Sequence, residues 1–241
     1  MTPSFENLKV KLFADGADLV NMLDMNAKPY IKGLTTNPTL MRKAGVTNYK
    51  KFAIEVLSHI KEKPISFEVF SDDLEIIKGQ ALEIASWGKN VYVKIPITNT
   101  LGISTSSVIQ YLVQQGVKVN VTALMTTEQV RTIASVLNPK VPSCVSVFAG
   151  RIGDTGRDPE PIMIEALKIL EKVKGAELIW ASPREFLNIF QANRIGCHII
   201  TATSDILKKI ELIGYDLERY SLDTVKMFHN DAQSSKFEIK T

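Results

Sequence analysis

A lysine inside an apolar strand is the residue of this chain with the clearest potential for chemistry. Lys94 interrupts the apolar run at residues 91–97, which otherwise has the pattern of a buried β-strand. A lysine is almost never buried without a partner, because removing an ammonium from water costs several kcal/mol. Desolvation lowers the pKa of the amine and makes it a nucleophile that can form a Schiff base. The alternative is a salt-bridged lysine, or one whose ammonium reaches solvent from the end of the strand.

Further polar side chains interrupt or follow strand-like runs along the chain. Glu68 lies in the third run, and steps of 26 residues lead from it to Lys94, then to Asn120 and then to Ser146. Residues at matching points of successive strand–helix units face a common mouth, so we expect these four side chains to lie together. A carboxylate in an apolar strand needs a partner or a raised pKa, and the second is what a general acid requires. The other candidates at strand ends are Asp15, Thr36, Asn37, Thr122, Arg151, Ser182 and Arg184.

Several of these candidates have a purely structural alternative. Asp15 could cap the following helix, and Asn37 with Pro38 after it could be a turn. Residues 182–185 (Ser-Pro-Arg-Glu) match a helix N-cap with proline at the first position and a capping-box glutamate. A helix start with free N–H groups and an adjacent arginine is also a phosphate site, so both interpretations are compatible there. Arg151 could equally form an ion pair at the rim.

Strand-like and helical patterns alternate along the whole chain. The expected strands span residues 10–14, 33–36, 64–70, 90–96, 117–124, 143–149, 176–181 and 197–201. Apolar residues at helical spacing lie between them, for example at positions 52, 56 and 60, at 74, 77 and 81, and at 162, 166, 169 and 173. Eight such units predict a single-domain α/β fold over residues 1–241, a (β/α)8 TIM barrel with an extra C-terminal helix. An open doubly wound sheet is disfavoured because no Gly-x-Gly-x-x-Gly follows the first strand.

Composition narrows the possible partners. The net charge is only +3, with 23% charged residues, so nucleic acid is not expected as a partner. No apolar run approaches the ~20 residues of a membrane span, and residues 1–12 lack a signal-peptide core, so we expect a cytoplasmic protein without a membrane partner. The two cysteines and three histidines have no metal-ligand spacing, so no metal site is expected.

Five segments together resemble the transaldolase family. Residues 33–40 (Gly-Leu-Thr-Thr-Asn-Pro-Thr-Leu) contain its Thr-Thr-Asn-Pro signature, and residues 91–96 resemble its Schiff-base lysine strand. Residues 120–124 and 146–152 are similar to its fifth and sixth strands, and residues 181–184 (Ala-Ser-Pro-Arg) resemble its Ala-Ser-Phe-Arg segment. The match runs in order from about residue 15 to residue 201 and covers most of the chain.

The resemblance implies a class I aldol mechanism without a metal or other cofactor. A dihydroxyacetone unit would pass from sedoheptulose 7-phosphate or fructose 6-phosphate to an aldose phosphate, in the non-oxidative pentose phosphate pathway. Lys94 would form the Schiff base, Asp15 would take the proton of the C4 hydroxyl, and Glu68 would act through a water held with Thr122. Asn37, Asn120 and Ser146 would hydrogen-bond the dihydroxyacetone unit, and Arg151, Ser182 and Arg184 would hold the phosphate. Thr36 and Phe148 are also implied in substrate binding.

Two other functions remain open. The chain has the length of the small subfamily, which includes fructose 6-phosphate aldolases that release free dihydroxyacetone. That branch has Gln at the position of Glu68 and Tyr at the position of Phe148, so the residues here favour transfer. A catalytically inactive sugar-phosphate-binding barrel would have lost Lys94, Asp15 or Glu68. Two departures from the family pattern are Pro183 in place of Phe and Gly16 where Thr is common.

The end of the chain suggests self-association. Apolar side chains recur beyond the eighth strand–helix unit, at Tyr220, Leu222, Val225, Met227 and Phe228. They could pack on the barrel's own surface, or they could dock onto a neighbouring subunit. Small members of the family form ring-like assemblies and larger ones form dimers, so the resemblance implies a homo-oligomer.

Overall fold

Eight parallel strands close into a barrel in the computed structural model, which describes residues 8–235 and 239. The strands are β1 (Lys11–Asp15), β2 (Ile31–Thr35), β3 (Ile65–Glu68), β4 (Val91–Pro96), β5 (Val119–Leu124), β6 (Ser143–Val147), β7 (Ala176–Trp180) and β8 (Ile199–Thr203). Each strand pairs with its neighbour in sequence, and β8 pairs with β1 to close the ring. All eight carboxyl ends therefore meet at one mouth.

Helices follow the strands around the outside. They are α1 (Leu19–Ala27), α2 (Pro38–Lys43), α3 (Tyr49–His59), α4 (Leu74–Ser86), α5 (Ser106–Gln114), α6 (Thr127–Ala134), α7 (Ala149–Gly153), α8 (Glu160–Leu170), α9 (Leu187–Arg194), α10 (Ser204–Leu207) and α11 (Leu217–Ser234). A 3₁₀-helix at Lys208–Leu212 joins α10 to the segment before α11. No helix in the described part of the chain is both long and apolar enough to cross a membrane.

The barrel is apolar on both faces of its strands. Outward-facing residues such as Val93 and Ile95 pack with helix residues such as Ile77 in the main core. A separate cluster consists of inward-facing residues: Phe13, Cys144, Ile179, Ala181 and Ile199, with Tyr92 and Phe148 against them. Since side chains alternate along a strand, Phe13, Tyr92 and Cys144 lie one inward position before Asp15, Lys94 and Ser146. The inner cluster is thus an apolar floor beneath a polar layer.

The strand predictions are confirmed in number, order and direction, and the open sheet is excluded. Several bounds differ by one to a few residues. The last strand, predicted at residues 197–201, is Ile199–Thr203, because Gly196 takes a left-handed φ of 78° and pairing with β7 starts at Ile199. The sixth, predicted to reach residue 149, ends at Val147 because Ala149 already begins α7.

The periodic segments predicted as helices correspond to α3, α4 and α8. Thr126 and Gln129 form the expected capping box at the start of α6. The helix start predicted at residues 182–185 is wrong, because α9 begins only at Leu187. The extra C-terminal helix is present as α11, which begins at Leu217. Residues 236–238, 240 and 241 lie outside the described residues.

The loops after β6 and β7 touch through their backbones. Gly150 N–H donates to the Ala181 carbonyl oxygen at 3.4 Å. A Cβ on Gly150 would lie 1.7 Å from the Ser182 carbonyl oxygen, which is impossible without moving one backbone. Ser182 itself has a left-handed φ of 59°, a conformation that costs a non-glycine residue of order 1–3 kcal/mol. The absence of a side chain at position 150 therefore permits the close approach of the two loops.

We predict that Gly150→Ala lowers the free energy of unfolding by about 1–3 kcal/mol, because an added methyl must displace backbone in a packed site. Gly153→Ala is the matched control, since a Cβ at Gly153, also in α7, has no heavy atom within 4 Å. Urea unfolding of both variants measures the difference. Equal stabilities would show that the loops separate without cost.

Candidate functional site

A cavity of about 700 Å³ opens at the carboxyl ends of the barrel strands. Its wall includes every candidate side chain predicted from the sequence except Thr36. They are Asp15, Asn37, Glu68, Lys94, Asn120, Thr122, Ser146, Phe148, Arg151, Ser182 and Arg184. Residues far apart in sequence are thus brought to a single site by the closure of the barrel.

Lys94 lies in the barrel interior, at the centre of this group. Its Nζ atom is 3.0 Å from Glu68 Oε2 and donates to the Thr36 carbonyl oxygen at 3.1 Å. Only 7% of the residue is exposed, so snorkelling to solvent is excluded. Glu68 and Lys94 are direct partners in the β3–β4 register. Glu68 therefore has the cationic partner that a largely buried carboxylate needs. Lys94 is both salt-bridged and part of the cavity wall.

The spacing of 26 residues is reproduced in the sheet register for two of its three steps. Glu68 pairs with Lys94, and Lys94 pairs with Asn120. Asn120 pairs with Cys144, so Ser146 lies two residues further along β6. Its hydroxyl still donates to Asn120 Oδ1 at 2.7 Å, because tilted barrel strands bring staggered positions side by side. Asn120 Nδ2 donates in turn to Ser66 Oγ at 3.0 Å, which fixes the amide orientation.

Asp15 ends β1 and is held from the side of β2. Thr35 Oγ1 donates to Asp15 Oδ1 at 2.7 Å, and Asn37 Nδ2 donates to Oδ2 at 3.3 Å. Burial raises the pKa of Asp15 above its ordinary value, while the charge of Lys94 and the Thr35 hydrogen bond oppose that shift. A carboxylate with a raised pKa is a stronger base than an exposed one. Asp15 does not cap a helix, since Asp18 caps α1.

Asn37 has two functions in the structure. Its Oδ1 atom accepts the Leu40 N–H at 3.0 Å and caps α2, with Pro38 at the first helical position. Its Nδ2 atom points to Asp15. The Asn-Pro sequence thus starts a helix and, in the same residue, presents a donor to the cavity.

One hydroxyl on the cavity wall has no partner. Thr122 Oγ1 is buried and unbonded, one of two such side-chain atoms in the described residues, the other being Trp180 Nε1. Ala123, the next residue, takes a left-handed φ of 64° at the register shift between β5 and β6. A buried hydroxyl costs free energy unless it is hydrogen-bonded. Thr122 Oγ1 therefore offers a binding point for a water molecule or a polar ligand atom.

Two arginines line the rim. The guanidinium of Arg151 lies 5.4 Å from the centre of the Phe148 ring, a cation–π distance. Arg184 is paired in bidentate fashion with Asp154: Nε donates to Oδ1 at 2.9 Å and a terminal nitrogen donates to Oδ2. The hydrogen bonds from Arg184 hold the pKa of Asp154 below its usual value. Each arginine has further N–H groups that these contacts do not use and that can bind an anion.

Ser182 does not cap a helix, contrary to the sequence-based prediction. The backbone N–H groups of Arg184 and Glu185 donate instead to Asn188 Oδ1, at 2.8 and 3.1 Å. The amide side chain thereby takes up two N–H groups that the predicted helix start would have left free. These two N–H groups are therefore not available to an anion.

The side chain of Thr36 does not line the cavity, although its carbonyl oxygen accepts a hydrogen bond from Lys94 Nζ. Its side chain is fully buried, and Oγ1 donates to the Ser66 carbonyl oxygen at 2.9 Å. Its neighbour Thr35 faces the cavity, because alternate residues of β2 point to opposite sides. Sequence reasoning also missed Ser66, Thr201 and Asp154. The alternation of inward positions along β3 and β8 is the signal that could have found the first two.

No three His, Cys, Asp or Glu side chains among the described residues are grouped so that they could hold a metal ion. Cys144 and Cys197 are both buried and free, and burial raises the pKa of both thiols. The groups that line the cavity are an amine, carboxylates, hydroxyls, amides and guanidinium groups.

The chain matches a known protein family over most of its length. The model of the family described as transaldolase/fructose-6-phosphate aldolase matches residues 12–239. A "Probable transaldolase" of Thermoanaerobacter sp. (strain X514) is 32% identical over 218 residues, which cover 89% of this chain and 96% of that protein. A protein of the same name from Methanococcus maripaludis (strain C6) is 30% identical over 218 residues, covering 89% of this chain and 97% of its own.

A solved structure supports the fold independently. The 3-keto-L-gulonate-6-phosphate decarboxylase of Vibrio cholerae O1 biovar El Tor has a TM-score of 0.55 at 11% identity, over 85% of this chain and 89% of its own. At that identity the likeness concerns the fold alone. The family match, which extends over most of the chain, decides the classification: the chain belongs to the transaldolase/fructose-6-phosphate aldolase family.

Proposed function

We propose that the protein is a transaldolase that moves a dihydroxyacetone unit between sugar phosphates through a Schiff base on Lys94. The observation that carries the proposal is the position of the Lys94 amine. It lies in the barrel interior, opens to the cavity, and has one carboxylate, Glu68, at 3.0 Å. The second carboxylate, Asp15, lines the same cavity and has a raised pKa. Aldol cleavage through a Schiff base needs an amine, a group that moves protons during imine formation and a base for the C4 hydroxyl, and Lys94, Glu68 and Asp15 provide them.

Formation of the imine uses Lys94, Glu68 and Thr122. The ammonium first gives a proton to the neighbouring carboxylate, and the free amine then attacks the C2 carbonyl of a ketose phosphate. The carbinolamine loses its hydroxyl as water when that oxygen is protonated, which leaves a positively charged iminium. A water molecule on the unpartnered Thr122 hydroxyl would carry the proton between Glu68 and the C2 oxygen.

Cleavage uses Asp15. Its carboxylate takes the proton of the C4 hydroxyl, the C3–C4 bond breaks, and the bonding electrons flow into the iminium to give an enamine. The C4 fragment leaves as an aldose phosphate. Attack of the enamine on a second aldose phosphate reverses these steps. Asn37, Asn120 and Ser146 would hold the hydroxyls of the three-carbon unit, supported by the fixed orientation of the Asn120 amide.

Release of free dihydroxyacetone is the competing outcome, and an acceptor separates the two functions. We expect turnover of fructose 6-phosphate to require erythrose 4-phosphate, with sedoheptulose 7-phosphate as the product. Glyceraldehyde 3-phosphate formation at the same rate with and without the acceptor would identify an aldolase. If neither fructose 6-phosphate nor sedoheptulose 7-phosphate is turned over or forms an imine, the protein is a binding protein.

We predict that Lys94→Arg abolishes the covalent intermediate. Arginine keeps the positive charge beside Glu68 but cannot lose its proton at neutral pH, so no free amine is available. The measurement is the mass of the protein after incubation with fructose 6-phosphate and borohydride. The wild type should gain the mass of a reduced dihydroxyacetone adduct. An adduct on the variant would assign the Schiff base to another lysine.

The phosphate of the substrate is proposed to bind at the rim, at Arg151, Ser182 and Arg184. Arg184 already donates to one anionic group, Asp154, in bidentate geometry. This arrangement orients the guanidinium before substrate enters, and it leaves the outer N–H groups for the phosphate. Because Arg184 is half exposed, the contact is weakened by solvent and salt.

We predict that Arg184→Ala raises KM for phosphorylated donors by the equivalent of about 1.5–3 kcal/mol, the range for a hydrogen bond to a charged group. Activity with unphosphorylated dihydroxyacetone as donor should change far less. Arg194→Ala is the matched control, since Arg194 is exposed and pairs with Glu160 outside the cavity. Equal losses with both donors would mean that Arg184 maintains the loop and does not bind phosphate.

Self-association is proposed from α11. None of its residues is buried, and Leu217, Tyr220, Val225 and Phe228 remain 79%, 47%, 59% and 62% exposed. Packing on the barrel's own surface, the alternative left open by the sequence, is therefore not supported. These four residues share one face at helical spacing. An apolar face of this kind is typical of a contact with another subunit.

We predict that the protein is a homo-oligomer and that the double variant Val225→Asp, Phe228→Asp dissociates it, because charges in a buried contact are costly. Light scattering at micromolar concentration measures the mass. Asn230→Asp, on the opposite face of α11, is the control and should leave the assembly intact. A wild-type mass of 26.8 kDa would contradict the proposal.

A further inference from the structure

Two threonine hydroxyls form a hydrogen-bonded chain that ends on Asp15. Thr35 Oγ1 is 2.7 Å from Asp15 Oδ1 and 2.6 Å from Thr201 Oγ1. Thr35 is 2% exposed and Thr201 is 7% exposed, so bulk water does not compete for these contacts. Thr201 is not among the residues that the sequence indicated, and no step of the proposed mechanism above uses it.

The sheet register explains how the chain of hydroxyls is assembled. β1 lies between β2 and β8 in the barrel. Asp15 pairs with Thr35 on one side, and Phe13, one inward position lower, pairs with Thr201 on the other. The side chains of Thr35 and Thr201 therefore meet inside the barrel, across β1. Gly33 leaves the space that this ring needs, since a Cβ there would lie 2.4 Å from its Cζ atom.

The direction of donation follows from the number of protons. An ionised carboxylate only accepts, so the single hydroxyl proton of Thr35 goes to Asp15 Oδ1. Thr35 then has no proton left for Thr201. In the 2.6 Å contact between the two hydroxyls, Thr201 must be the donor and Thr35 the acceptor. The order is Thr201 to Thr35 to Asp15, and each donated proton polarises the next hydroxyl.

We infer that Thr201 is a positioning residue for the aldol cleavage, which acts through Thr35 to hold Asp15 Oδ1 and leave Oδ2 to take the substrate proton. The inference rests on the proposed function of Asp15 as the base. The two carboxylate oxygens of Asp15 differ in their contacts, as this inference requires. Oδ1 has the short contact to Thr35 at 2.7 Å, whereas Oδ2 has only the longer contact to Asn37 at 3.3 Å. The freer oxygen is the one available to the C4 hydroxyl.

The same chain affects the protonation of Asp15. The Thr35 hydrogen bond favours the carboxylate, against the effect of burial. Removing the Thr201 hydroxyl weakens the polarisation of Thr35, so the pKa of Asp15 should rise further. The carboxylate form, and with it cleavage, would then be lost at a higher pH than in the wild type.

Few charged groups lie near Asp15, so few other causes exist for such a change in its pKa. β2 and β8 contribute only uncharged threonines and Asn37 on either side of it. Lys94 faces it from β4, and its charge acts on the pKa of Asp15. The remaining charged groups on the cavity wall are Glu68, which pairs with Lys94, and Asp205, Arg151 and Arg184. Thr201 makes no hydrogen bond to any of them in the structure.

The test compares Thr201→Val with Thr201→Ser, using wild type and Thr105→Val as controls. Valine keeps the shape without a donor, and serine restores the hydroxyl. Thr105 is also buried, but its hydroxyl donates to the Pro96 carbonyl oxygen and it does not line the cavity. Three quantities are measured: borohydride trapping with dihydroxyacetone, single-turnover cleavage of fructose 6-phosphate, and the pH profile of kcat/KM.

In Thr201→Val we expect cleavage to slow by about three- to tenfold, the effect of one neutral hydrogen bond. The acidic limb of the profile should move to higher pH, and trapping should stay at the wild-type level because it needs no C4 proton transfer. Thr201→Ser should recover most of the cleavage rate. Wild-type cleavage rates in Thr201→Val, or no recovery in Thr201→Ser, would overturn the inference. An equal loss of trapping and cleavage would also overturn it. Absence of both reactions in the wild type would instead overturn the proposed function itself.

Discussion

The ion pair between Lys94 and Glu68 determines how charge is distributed among the other groups of the barrel interior. Two carboxylates and one ammonium line the same cavity, and the ammonium is paired with Glu68 at 3.0 Å. Asp15 is left without a dedicated cation, which is why its burial dominates over the charge of Lys94 and raises its pKa. The ion pair thus makes the two carboxylates different. The charge of Glu68 is compensated by Lys94, whereas Asp15 has a raised pKa and can act as a base.

Hydroxyl and amide side chains make this arrangement possible without further charge. Thr35 and Asn37 donate to Asp15, and Ser146 and Ser66 fix the amide of Asn120. Beneath them the apolar floor around Phe13 excludes water from the lower barrel. A polar layer on an apolar floor gives the hydrogen bonds a low local dielectric, in which they orient side chains more strongly than at a surface.

Periodic features of this fold can be predicted from the sequence, because they depend on the alternation of apolar residues. The eight strands, and the grouping of Glu68, Lys94 and Asn120 through their spacing, are of this kind. Features that depend on one backbone angle or on the register cannot be predicted in the same way. The pattern at residues 182–185 has every local sign of a helix start, yet contact with Gly150 and the left-handed Ser182 override it. Likewise Thr35 and Thr36 are adjacent and identical, and only the register decides which one faces Asp15.

The unpacked state of α11 has a consequence for how firmly this part of the chain is folded. Most helical stability in proteins comes from packing of an apolar face, and this helix of 18 residues has no buried side chain. Apart from its own hydrogen bonds, it has mainly the contacts of Tyr215 with Arg219, Tyr220 and Asp223 to keep it formed. If α11 forms the proposed contact with another subunit, its backbone amides exchange with deuterium at a rate that falls as the protein concentration rises, while those of the barrel strands exchange at a rate independent of concentration. Association with another subunit would then keep α11 folded, and dilution would unfold α11 while the cavity stays intact.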